Sequence, residues 1–69
     1  MAFELTHKGE ERALEIREAS GPEAATLAFL YKTGRPTEVE EIMDETRMDD
    51  EKAVKVLGRL VGQGYVEET

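Results

Sequence analysis

Apolar and polar positions change rhythm several times along the chain, and each change falls at a glycine, a proline or a capping residue. Residues 2–5 alternate, with Phe3 and Leu5 on one side, which predicts a short strand. Thr6 is placed to cap a helix over residues 8–19, where Ala13 and Ile16 share a face and Leu14 lies to the side. Ser20 and Glu23 have capping-box spacing around Gly21-Pro22, which predicts a second helix over residues 22–33. Its Ala24, Leu27, Ala28 and Tyr31 line one face, and Ala25 and Phe29 line the opposite one. A helix apolar on two sides is expected to be sandwiched, with the preceding helix covering Phe29. Gly34 is a typical C-terminal stop.

Arg35-Pro36 reads as a brief extended link. Thr37 and Glu40 have the spacing of another capping box, and the helix they open, over residues 37–45, is expected to bury Val39, Ile42 and Met43. Thr46-Arg47-Met48 forms a turn. Asp49 then caps a helix over residues 49–63, with Asp50 and Glu51 in its first turn, where negative charge suits the helix dipole. Ala53, Val54, Leu57, Leu60 and Val61 form its apolar stripe, centred near Leu57. Gly64 ends the helix, and residues 65–68 read as a final strand.

At 69 residues, the chain has room for a single domain with one core. It has no cysteine, so neither disulfides nor a Cys-based zinc site can staple it. With 39% hydrophobic and 36% charged residues, the composition is that of a globular domain rather than a disordered one. No apolar stretch approaches the ~20 residues a bilayer requires, and the first residues lack the pattern of a signal peptide. These features predict a cytoplasmic protein with no membrane contact.

From Pro22 onward the expected order is helix, link, helix, tight turn, longer helix, strand. Met48-Asp49 followed by Val54, Leu57, Leu60 and Gly64-Tyr65-Val66 resembles the recognition-helix region of winged helix-turn-helix transcription regulators. So does Gly34-Arg35-Pro36-Thr37 with Val39, Glu40, Glu41 and Ile42. The likeness covers roughly two-thirds of the chain and rests on apolar spacings plus one Gly-aromatic-Val ending. It implies a mainly α fold with a small antiparallel β-sheet. Such regulators continue into a two-stranded wing, whereas here only one wing strand follows the long helix. Phe3-Glu4-Leu5-Thr6-His7-Lys8-Gly9 looks like the missing strand and helix start. The implied arrangement is a circularly permuted winged helix, with residues 2–5 antiparallel to residues 65–68 and an open wing tip. An unrelated N-terminal extension is the other reading of those residues.

No catalytic constellation is present. His7 is the only histidine and Ser20 the only serine, Ser20 being assigned to a helix cap. Gly58, Gly62 and Gly64 fall in or at the end of a helix rather than in a phosphate loop. Glu40, Glu41, Asp44 and Glu45 read as a solvated face rather than a metal site. The chain is therefore expected to be non-enzymatic, with no cofactor and no metal.

Charge placement leaves two binding roles open. The net charge is −7 and the pI about 4.6. Opposite the apolar stripe of the last helix stand Lys52, Lys55 and Arg59, with Val56 and Gln63 at the edge. The resemblance implies that this face would enter a DNA major groove, with arginine reading bases and lysine contacting phosphate. A single small module buries too little surface for high specific affinity, so this reading calls for a homodimer. Against it, residues 37–46 hold Glu38, Glu40, Glu41, Asp44 and Glu45 and no basic residue. In such regulators this helix runs close to the DNA backbone, whose phosphates would repel it. The alternative is a protein-contact module, which binds a basic protein partner through Glu38, Glu41 and Glu45 or associates with itself through an apolar patch around Phe29 or Val56.

Overall fold

The computed structural model of the chain describes residues 1–16 and 19–69. It is mainly helical, with a small three-stranded antiparallel sheet. Strand β1 spans Ala2–Leu5, helix α1 His7–Glu15 and helix α2 Pro22–Thr33. Strand β2 (Thr37–Glu38), helix α3 (Val39–Thr46), helix α4 (Asp50–Gly62) and strand β3 (Val66–Glu68) follow.

The two ends of the chain build the sheet together. β1 is its central strand, in the order β2-β1-β3, and both neighbours run antiparallel to it. Leu5 pairs with Val66, Glu4 with Glu67, and Phe3 with Glu68 on one side and Thr37 on the other. Residues directly opposite one another share a face. Phe3, Thr37 and Val66, all buried, therefore point inward together. Val39 N–H donates to the Met1 carbonyl at 3.2 Å, and Thr69 N–H to that of Ala2 at 2.9 Å. The expected pairing of the terminal strands is present, and β2, which the sequence pattern did not predict, is added on the other edge.

Most helix boundaries follow local chemistry. Thr6 caps α1, its hydroxyl accepting from Gly9 N–H at 3.0 Å. Asp49 caps α4 by accepting from Lys52 N–H at 2.8 Å. Gly34 closes α2 in the left-handed conformation (φ 63°), donating to the Leu30 carbonyl at 3.1 Å. Three expectations fail. Helix α1 ends at Glu15, short of residue 19, and the rest of that expected stretch includes residues 17 and 18, which lie outside the described residues. The cap of α2 is Gly21, without a side-chain bond, rather than Ser20. Thr37 does not open a capping box. It belongs to β2, is fully buried, and its hydroxyl donates to the Arg35 carbonyl at 2.9 Å and lies 2.9 Å from that of Thr33. Strand pairing with Phe3 took the backbone that a longer α3 would have used.

One hydrophobic cluster joins every helix to the sheet through Phe3, Ala13, Leu27, Leu30, Ile42, Leu57 and Val66 among others. Ile42 is buried as expected, while Val39 and Met43 are half-buried against the cluster. In α2 the buried residues are Ala24, Thr26, Leu27 and Leu30, so Ala28 and Tyr31 stand outside the core. Thr26 can sit there because its hydroxyl donates back to the Pro22 carbonyl at 2.7 Å. Phe29 is half-buried, packs against the core cluster and lines a surface depression with Glu45 and Thr46 of α3. Among the described residues, no helix is long and apolar enough to cross a membrane.

Candidate functional site

Helix α4 is the element on which the DNA-binding role depends, and its rotation about its own axis decides what it offers. Its buried residues are Ala53, Val56, Leu57 and Leu60. Val54 and Val61, expected in the core, are 61% and 42% exposed. Val56, expected at the edge of the exposed face, is 3% exposed. The buried row is thus turned by roughly 50° from the expected one, half of the ~100° step between residues. The basic residues consequently lie along one flank of the helix, and an apolar row lies along the other.

The basic flank faces the start of α2. Lys52, Lys55 and Arg59 line an open depression of about 510 Å³ with Pro22, Asp49, Glu51 and Val56. Arg59 donates to Glu23 at 3.2 Å, and Lys55 lies 3.6 Å from Glu51. Lys52 has no ion pair among the described residues. The structure thus gathers the three expected basic side chains in one place, but with Asp49, Glu51 and Glu23 among them. Lys32 is elsewhere, in the depression beside Phe29 and Glu45. It does not extend the lining of this depression.

The acidic face runs along α3, with Glu38 at its N-cap and Glu41 and Glu45 four residues apart within the helix. Glu38 belongs to β2 and lies 3.4 Å from the N-terminal ammonium group. Glu41 accepts from Arg35 at 3.0 Å. That hydrogen bond, with the charge of Glu41, raises the Arg35 guanidinium above its ordinary pKa. Glu45 stands beside Phe29. Among the described residues, no three carboxylate or imidazole side chains come together in a way that could hold a metal ion.

The apolar flank was missed by the sequence reading. Val54, Gly58 and Val61 of α4, with Leu57, line a groove of about 330 Å³ against Met1 and Phe3. Val39 closes one part of it, and Asp50 and Glu68 are its charged side chains. Met1 and Glu68 share the inner face of the sheet with Phe3, because strand residues alternate and Phe3 pairs with Glu68. The sheet therefore extends beyond the packed core and forms one wall of the groove. Val54 and Val61 looked like core in the sequence because they continue the apolar spacing of α4. The arrival of Met1 beside them depends on strand pairing across nearly the whole chain.

Comparison of the chain with protein-family models, with curated proteins and with solved structures finds no match.

Proposed function

We propose that this chain is a non-enzymatic interaction module of the winged-helix type, permuted so that its N-terminal strand takes the central place in the sheet, and that its partner is a protein rather than duplex DNA. The observation that carries the choice of partner is the setting of α4. It turns Val54 and Val61 to solvent beside the exposed Met1, whereas Lys55 and Arg59 on its other flank already face Glu51 and Glu23. An exposed apolar patch bordered by polar residues is a common mark of a protein contact. The winged-helix reading is supported by the strand order β2-β1-β3 and by the tight turn between α3 and α4, where Arg47 takes a left-handed conformation (φ 58°). A chain without cysteine suits a reducing, cytoplasmic setting.

DNA binding is the second reading. It is favoured by the placement of Lys52, Lys55 and Arg59 around one open depression. The ion pairs of Lys55 and Arg59 are largely exposed and worth about 0–1 kcal/mol each, so phosphate could displace the carboxylates at small cost. The opposing term is the acidity of α3 and the net charge of −7, which repel a polyanion at longer range.

The test is amide NMR of the labelled chain titrated with a mixed-sequence duplex, at low salt and then near physiological salt. The protein-contact reading expects no shifts at Lys52, Lys55 and Arg59 near physiological salt. Saturable shifts centred on those three residues that weaken with rising salt would replace it with the DNA reading.

A further inference from the structure

We propose that the groove beside α4 receives a short amphipathic helix of another protein, with an apolar face flanked by lysine or arginine. The inference rests on the protein-contact reading above and adds the surface and the chemistry of its occupant. The groove, at about 330 Å³, is at the small end of binding pockets, so it suits one or two aliphatic side chains better than a metabolite. Met1, Val54 and Val61 leave it open, being 69%, 61% and 42% exposed. A Cβ built at Gly58 would meet nothing within 4 Å, so an incoming backbone can come close to α4 there. Helix-in-groove recognition places apolar anchors along such a surface.

Charge selects among the possible occupants. Both charged side chains that line the groove, Asp50 and Glu68, are acidic. The N-terminal ammonium group of Met1 is already engaged by Glu38 at 3.4 Å. A second copy of this chain would set acidic rim against acidic rim, with a net charge of −7 on each side. An anionic membrane surface meets the same repulsion. An apolar segment with flanking cations fills the groove and neutralises Asp50 and Glu68 together.

The experiment titrates the labelled full chain with two synthetic helical peptides of about 14 residues. They share the same leucine spacing, but one carries flanking lysines and the other flanking glutamates. The lysine peptide is expected to shift the amides of Val54, Gly58, Val61 and Glu68, and the glutamate peptide to leave them in place. Val54→Asp, at an exposed position, is expected to weaken the lysine peptide at least about tenfold, the equivalent of ~1.4 kcal/mol. The rest of its spectrum stays native. Combining Asp50→Asn with Glu68→Gln is expected to weaken binding about fivefold and to flatten its salt dependence. Equal binding of both peptides would overturn the charge selection, and shifts confined to α3 would reduce the effect to ion exchange and overturn the proposal. Shifts of the groove amides on concentrating the protein alone, with no further change on adding peptide, would make a second copy the occupant. That outcome overturns the proposal and leaves the protein-contact reading standing. No groove shifts with either peptide, together with duplex-induced shifts at Lys52, Lys55 and Arg59, would remove both.

Discussion

Gly9 of α1 packs directly against the backbone carbonyl of Tyr65, where the chain leaves α4 for β3; a Cβ at Gly9 would overlap that oxygen and its carbon. Other bonds surround the contact. Thr6 N–H donates to the Tyr65 carbonyl at 3.0 Å, and the Thr6 hydroxyl to that of Gly64 at 2.6 Å. Lys8 reaches the Gln63 carbonyl at 3.0 Å, and its ammonium group sits 5.2 Å from the centre of the Tyr65 ring. The N-terminal segment thus satisfies the carbonyls of Gln63, Gly64 and Tyr65, in the link from α4 to β3, that would otherwise need water.

Gly9→Ala tests this closure. An alanine inside a helix is favoured over glycine by about 1 kcal/mol, so a simple helix argument expects stabilisation. The overlap with Tyr65 is with backbone and cannot be relieved by a side-chain rotation. The variant is expected to lose about 1–3 kcal/mol of unfolding free energy in urea denaturation. A gain in stability would show that α1 is not held against the α4 terminus.

Gly58→Ala is the control with the opposite sign. Gly58 is exposed within α4, and an added Cβ meets nothing within 4 Å. The same denaturation experiment is expected to show a gain of about 0.5–1 kcal/mol. A loss there would mean that something in solution already approaches that face closely.

Glu4 and Glu67 stand directly opposite each other across the β1–β3 pair, a like-charge placement that weakens a sheet. Glu67→Lys is expected to raise stability by about 0.5 kcal/mol at low salt and by less at high salt, where the repulsion is already screened. Thermal melts at two ionic strengths check both the sign and the salt dependence.

Two of the helix starts read as capped in the sequence, at Asp49 and Ser20, should respond differently. Asp49→Ala removes a side-chain cap that accepts from Lys52 N–H at 2.8 Å, and is expected to cost about 1 kcal/mol. Ser20→Ala removes no cap, since the N-cap of α2 is Gly21, and is expected to stay within about 0.5 kcal/mol of the parent. Equal losses in the two variants would restore Ser20 as the cap of α2.

The contrast between Asp49 and Ser20 shows how far local signals carry. At Asp49, Thr6 and Gly34 the residue that stops or starts the helix acts within three or four residues of itself, so its role was visible in the chain. At Thr37 the same kind of signal was overridden, because pairing with Phe3 claimed the backbone and Thr33 and Arg35 claimed the hydroxyl. The basic trio was legible because Lys52, Lys55 and Arg59 recur at helical spacing. The acids set among them were only partly so, since Glu23 reaches Arg59 from another helix. The groove was not legible at all, because it needs both chain ends and α4 at once.

By itself the amino-acid sequence determined most of the helical segments, the positions of most caps and stops, and the acidic balance. The first two follow from hydrogen bonds and side-chain preferences that act over a few residues. The antiparallel meeting of the two terminal strands was implied only through the likeness to winged-helix regulators, with an unrelated extension as the other reading. Only the tertiary structure decided which apolar residues of α4 are core. Val54, Val56 and Val61 are chemically the same side chain, and nothing local ranks them. Val56 is buried and the other two are exposed because the packing of α4 against the rest of the core fixes its rotation, and that packing involves residues far away in the sequence. The same distant contacts that close the core leave the other two valines in the open groove.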